Sequence, residues 1–374
     1  LLLVAIALTG LILAYANGAN DNFKGVATLF GSGTTSYRRA LLWATATTAL
    51  GSATALILAR GLLAAFSGKG LVPPEVATDP VFPAAVALAA GATVLLATRL
   101  GVPISTTHAL IGGLLGAGLV ASQSSINISR LTHSFVLPLL CSPFIAFVLT
   151  GILYPALRFV RRTLGVSRET CVCVGEDVVG IVPGAPGAAH ALKAVSLPTV
   201  SAGTEAICQV RYQGKVVGLS AGRVLDSAHY LSAGAVSFAR GLNDTPKIAA
   251  LLLVGEMIAP GVAVVGVGVA IAAGGLFSAR RVAKTMSHRV TEMNPGQGFT
   301  ANLVTSLLVI GASHLGMPVS TTHVSCGSLF GIGTVTGRAH RRTIRNILVA
   351  WVITLPVAGV LGAGFSGVLG AVFR

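Results

Sequence analysis

The stretch Gly18-Ala19-Asn20-Asp21-Asn22-Phe23-Lys24 recurs as Gly241-Leu242-Asn243-Asp244-Thr245-Pro246-Lys247. A second stretch, Gly101-Val102-Pro103-Ile104-Ser105-Thr106-Thr107-His108, recurs as Gly316-Met317-Pro318-Val319-Ser320-Thr321-Thr322-His323. The offsets are 223 and 215 residues, and the order is kept. Two unlike motifs repeated at nearly one separation mark an internal duplication. Each lies in or beside a long apolar run. A spanning helix needs about 20 mostly apolar residues, and candidate runs fall at 1–30, 40–66, 81–100, 103–121 and 134–157, then at 229–255, 257–278, 299–315, 318–336 and 347–373. That is five segments on each side of a polar stretch at 158–228.

Composition sets the class. Of 374 residues 53% are hydrophobic and only 10% charged, with a mean hydropathy of +0.82. An average soluble domain is roughly 25% charged, so disorder, a coiled coil and an ordinary soluble enzyme are excluded. The 46 glycines suit helices that pack closely inside a bilayer. The net charge of +15 is topological. Basic clusters at Arg38–Arg39, Arg158–Arg168, Arg280–Arg289 and Arg338–Arg345 follow the first, fifth, seventh and ninth runs, as cytoplasmic loops do. Nucleic acid is thereby excluded as a partner.

The loop count places both termini outside a cytoplasmic (plasma) membrane. Because each half has an odd number of spans, the second enters upside down. The expected architecture is an all-α polytopic membrane protein, an inverted-topology repeat of two five-segment halves with broken helices (1–157 and 229–374). A small β-rich or irregular cytoplasmic insert, 158–228, separates them. The opening run leads directly into a motif and reads as a span, not a cleaved leader. Of five cysteines, Cys141 and Cys326 read as small hydrophobes, and Cys171, Cys173 and Cys208 in the insert as free thiols on the reducing side rather than as a metal site.

A carboxylate inside an apolar run is costly and is kept where it faces a cavity or a partner. Gly18, Gly241 and Pro246 are expected to interrupt their helices and free backbone carbonyls. Asn20 with Asp21, and Asn243 with Asp244, then form a hard-oxygen site for Na⁺ or a titrating proton. Lys24 and Lys247 follow each Asp by three residues and on a helical turn would face it, either compensating its charge or lending positive potential to an anion site. Pro103 and Pro318 suit a first helical turn. The following Ser105, Thr106 and Thr107, and Ser320, Thr321 and Thr322, present hydroxyls, free N–H groups and a positive dipole end together. That is a receptor for a tetrahedral oxyanion. His108 and His323 serve as anion donors, titrating groups or structural hydrogen-bond partners.

At these residues the chain resembles the PiT family of inorganic phosphate transporters, with a Gly-Ala-Asn-Asp motif opening each repeat and a Pro-x-Ser-Thr-Thr-His motif later in each. The resemblance covers nearly all the chain except the insert. It implies a secondary carrier moving phosphate with Na⁺ or H⁺. It places phosphate on the serines and threonines at 105–107 and 320–322, with Asp21 and Asp244 serving the coupling ion and the substrate shell. The family's Asn after Val-Ala is replaced here by Lys24 and Lys247, and family acids by Thr48 and Asn302. Those replacements weaken a cation site and favour an anion.

The functional expectation is a phosphate transporter working by alternating access, not an enzyme and without a cofactor. Its partners are phosphate and the bilayer, and a homodimer is compatible with it. A permease for sulfate or another oxyanion is the nearest alternative, an anion channel a more distant one. A hydrolase is disfavoured because no nucleophile, base and orienting group share a motif, and no ATP-binding signature is present.

Overall fold

The computed structural model describes residues 2–122, 126–183, 192–212, 216–253 and 258–373. Their long helices fall on the apolar runs: α1 Leu2–Asp21, α2 Tyr37–Leu58, α3 Val81–Leu100, α4 Thr106–Ala121 and α5 Leu137–Thr163. The second set is α6 Ala221–Leu252, α7 Pro260–Ser278, α8 Pro295–His314, α9 Thr321–Thr336 and α10 Arg341–Phe373. The expected runs 229–255 and 257–278 meet at 254–257, outside the described residues. The chain divides into two compact units, residues 1–154 with 229–374, and residues 155–228.

In the first unit, turns segregate by parity. After odd-numbered helices, Phe30 stacks edge-on with Tyr37 and His288. Arg281 donates to the Arg99 carbonyl at 2.6 Å, Thr285 to that of Gly101 at 2.8 Å, and the His340 N–H to that of Val290 at 3.1 Å. After even-numbered helices, the Asn127 N–H donates to the Leu71 carbonyl at 2.9 Å, and Gly61 abuts Gly316. Helix α6 enters this unit at His229, bonded to Thr28 just beyond α1 at 3.0 Å, and its far end reaches Gly10 in the first half of α1. The two helices therefore run in opposite directions.

The duplication is also visible in packing. A Cβ on Gly18 would run into the Ile271 carbonyl of α7, and one on Gly241 into the Thr48 carbonyl of α2. Position 48 and position 271 are themselves 223 apart, so α1 on α7 repeats α6 on α2. Helices α3 and α8 end in tight turns, with left-handed Gly101 (φ 70°) and Gly316 (φ 68°) leading into α4 and α9.

Three expectations are sharpened or corrected by the structure. The ten segments are present as helices but differ in length and polarity: among the described residues α2, α3, the stretch 128–163 containing α5, α7 and α10 stand out as long and apolar enough to cross a membrane by length and composition. Helices α4 and α9 have 16 residues each, about 24 Å at 1.5 Å per residue, short of the roughly 30 Å hydrocarbon core. Polar residues such as Arg240, Asn243 and Asp244 lower the hydropathy of α6. Second, only the first copy of the Asn-Asp motif breaks its helix. Helix α1 stops at Asp21 and resumes in a 3-10 turn, Lys24–Val26, whereas α6 runs through Pro246. A proline removes a single ladder donor, and packed neighbours hold the helix on either side.

The third correction lies in the second unit. Strands β1 Thr170–Pro183, β2 Leu192–Thr204 and β3 Val216–Ser220 form an antiparallel sheet in the order β2-β1-β3. The short helix Glu205–Arg211 brings Cys208 against β1, where it forms a disulfide with Cys173. Cys171 stays free and buried beside them. Two of the three expected free thiols are thus paired: β1 alternation points both Cys171 and Cys173 into a small core with Cys208 and Tyr212.

Outward-facing Leu42, Ile57, Phe144, Ile152, Val262, Phe277, Val352 and Val360 are exposed. An apolar girdle of this extent fits lipid, not water.

Candidate functional site

The duplicated motifs converge in the first unit, where α1, α6 and the starts of α4 and α9 meet. Pro103 and Pro318 lie within the approach, two residues before the capping serines, and not in the expected first helical turn. Ser105 and Ser320 then cap α4 and α9, their hydroxyl oxygens accepting from the His108 N–H at 3.1 Å and the His323 N–H at 3.2 Å. Capping leaves each serine O–H free to donate. The threonines behind them reach the acidic pair. Thr106 donates to Asp21 at 3.0 Å, and the Asn243 amide donates to Asp244 at 2.9 Å and to Thr321 at 3.3 Å. The Asn17 amide lies 3.0 Å from the Asp21 carboxylate and 3.1 Å from that of Asp244, closing a continuous chain from Thr106 to Thr321.

Both lysines cross between the copies. The Lys24 ammonium pairs with Asp21 and donates to Asn20 Oδ1 at 2.8 Å, to the Ile104 carbonyl at 2.8 Å and to Thr322 at 2.7 Å. The Lys247 ammonium donates to the Val319 carbonyl at 2.6 Å and to Thr107 at 2.8 Å, with Asp244 at 3.7 Å. Asn20 donates to Thr98 at 2.9 Å, and Asn243 accepts from Ser313 at 3.3 Å. Each lysine therefore takes a carboxylate from its own copy and a hydroxyl from the other.

All of these side chains are buried. His108 and His323 lie deeper along α4 and α9, their rings 4.4 Å apart, with His323 stacked on Trp351 at 3.7 Å. His108 Nδ1 and His323 Nε2 have no protein partner.

Sequence reading missed Arg240 and Asn17. Arg240 is 1% exposed and donates to Asn17 at 3.0 Å, Asn22 at 3.0 Å and Thr48 at 3.2 Å. Its signal was a lone arginine within an apolar run, and it is the offset-223 counterpart of Asn17. With Lys24 and Lys247 it sets three cations against the two carboxylates. Surplus positive charge lined with hydroxyls is the chemistry that a buried anion requires.

A cavity of about 920 Å³ is lined by Tyr15, Leu95, Thr98, Arg99, Phe277, Ser278, Arg280, Arg281 and Lys284. One of these lining residues, Thr98, accepts from the Asn20 amide of the cluster at 2.9 Å.

The sequence profile of the phosphate transporter family matches residues 17–362. The chain belongs to the phosphate transporter family. A protein of Pyrococcus abyssi named as a phosphate permease is 29% identical over 95% of this chain and 94% of its own length. A Rhizobium meliloti protein named for low-affinity inorganic phosphate transport is 29% identical over 97% of this chain and 95% of its own. A solved structure titled as the sodium-dependent phosphate transporter matches the fold, with a TM-score of 0.75, 22% identity and full coverage of both chains. With the apolar helices, family membership makes this a multi-pass membrane protein. The family model begins at Asn17 and so takes in the whole first motif.

Proposed function

We propose that this chain carries inorganic phosphate across the cytoplasmic membrane by alternating access, as a secondary transporter coupled to H⁺ or Na⁺. The observation that carries the reading is the convergence of two helix starts, rich in hydroxyls, on one buried cluster with surplus positive charge, in a member of the phosphate transporter family. Ser105, Thr106, Thr107, Ser320, Thr321 and Thr322 would donate to the oxyanion. Lys24, Lys247 and Arg240 would balance its charge, while Asp21 and Asp244 keep the cations in place.

Opposite directions of α1 and α6 support an inverted-topology pair whose halves exchange roles as access alternates. The meeting of the turns after α1, α3, α7 and α9 supports one basic cytoplasmic face and outer termini. On that face the basic cavity above Thr98 serves as the anion's vestibule, focusing field lines as positively lined clefts do.

Purified protein in vesicles should accumulate labelled phosphate and saturate. No uptake under any Na⁺ or pH gradient would overturn the reading. Excess sulfate that competes as well as phosphate would reassign the substrate to oxyanions generally, and non-saturating flux at channel turnover would replace the carrier by a channel.

A further inference from the structure

The geometry points to Lys24 and Lys247 as tethered cations that fill the two cation cages of the site, so that this chain binds no Na⁺ there and needs none to bind phosphate. The phosphate half of this statement rests on the carrier reading above; the Na⁺ half does not.

Around the Lys24 nitrogen stand four oxygens of different kinds. They are the Asn20 amide oxygen at 2.8 Å, the Ile104 peptide carbonyl at 2.8 Å, the Thr322 hydroxyl at 2.7 Å and the Asp21 carboxylate. An ammonium has three protons to donate, so this shell is fuller than one lysine needs. Carboxylate, amide, hydroxyl and loop carbonyl beside a helix break are the donors with which carriers hold an alkali ion. Around Lys247 the shell repeats in part: the Val319 carbonyl answers Ile104, Thr107 answers Thr322, and Asp244 at 3.7 Å answers Asp21, while Asn243 gives its oxygen to Ser313 instead. Two related cages, the fuller around Lys24 and each closed by oxygens of both copies, hold a covalently attached ammonium where a free ion would sit.

Those residues do not fit Na⁺. Each carboxylate already faces a lysine, and both lie in the field of Arg240, which is buried with them. An added monovalent cation would enter beside an ammonium, without an unpaired carboxylate to meet it. Fixed charge thus replaces a mobile ion, and the anion finds its counter-charge already in place.

The test uses the purified full chain and two ligands measured separately. Binding of radiolabelled Na⁺, with phosphate absent, should show no saturable component in the wild type. It should appear in Lys24→Ala and in Lys247→Ala, which empty one cage each and leave its oxygens. Saturable Na⁺ binding by the wild type refutes the inference outright, with no variant involved. Folded variants that bind no Na⁺ refute the cage assignment. Phosphate affinity of the wild type should change by less than about twofold when Na⁺ is replaced by choline at equal ionic strength; tightening of more than about tenfold by Na⁺ would refute Na⁺ independence. If the wild type binds no phosphate in either salt, the carrier reading fails while the Na⁺ measurements still decide the cages.

Discussion

Replacing Asp21 by Asn keeps the shape of the side chain and removes one buried charge. The carboxylate of Asp21 receives Lys24, the Thr106 hydroxyl at 3.0 Å and the Asn17 amide at 3.0 Å. An asparagine has one oxygen for these three donors. If that oxygen keeps Lys24, the new amide group confronts the Asn17 amide; the Thr106 hydroxyl can rotate to accept, but Asn17 cannot. One hydrogen bond to a charged group is worth about 1.5–3 kcal/mol, and leaving a partner of a buried pair uncompensated costs about 3–5 kcal/mol in all. The expected destabilisation of Asp21→Asn is therefore about 3–5 kcal/mol. Asp244→Asn should cost less, about 1–3 kcal/mol, because Lys247 stands 3.7 Å from Asp244 and keeps the Val319 carbonyl and Thr107. The assay is unfolding in mixed micelles by added denaturing detergent, followed by tryptophan fluorescence from Trp43 and Trp351. A double variant, Asp21→Asn with Lys24→Met, should recover at least about 2 kcal/mol of the loss, since the orphaned ammonium goes with it. Loss of under about 1 kcal/mol for Asp21→Asn, or no recovery in the double variant, would refute the buried pair.

Thr106→Ala and Thr321→Ala should each raise the half-saturating phosphate concentration by about tenfold, the worth of one donor to a charged ligand, in vesicle uptake; an unchanged value removes these hydroxyls from the site. Gly18→Ala and Gly241→Ala should each destabilise the protein by about 1–3 kcal/mol, since both new methyls meet a backbone carbonyl. Gly261→Ala, where a Cβ meets open space, should stay within about 0.5 kcal/mol in the same micelle titration. Peptide mapping without reductant should recover Cys173 linked to Cys208, with Cys171 alkylated alone after unfolding; full alkylation of all three would show the pair reduced in the isolated protein.

Much of this fold is legible in the sequence because membranes punish polar groups so heavily. Apolar runs gave the long helices, and the basic clusters at 38–39, 280–289 and 338–345 fell where the turns after α1, α7 and α9 meet. What the runs conceal is length within the run. Residues 103–121 read as a full span, yet Pro103 and Ser105 hold the start of α4 back to Thr106, and the chain from Gly101 to Ser105 is spent on the approach to the site. Pro246 misled in the other direction. A proline marks a missing donor, but whether the helix breaks there depends on neighbours many residues away, as with the Gly241 contact to Thr48.

The site was legible where it was duplicated and opaque where the copies diverge. Motif spacing is enough to place Lys24 beside Asp21, three residues along a turn. It cannot say that Lys24 also reaches Thr322, because that contact depends on how the two halves cross. Arg240 and Asn17 occupy the same place in the two copies, one turn before each Asn-Asp pair, and no pattern search for matching residues would join them. Their mismatch has a physical consequence. A perfectly twofold site with two lysines and two aspartates would be neutral, and would have no net attraction for a phosphate anion. Arg240, bonded across the axis to Asn17 at 3.0 Å, breaks that balance by one positive charge while each lysine keeps a carboxylate of its own copy and a hydroxyl of the other. In the proposed carrier the repeats supply two equivalent halves that can exchange roles, and the single unmatched guanidinium supplies the sign of the cargo.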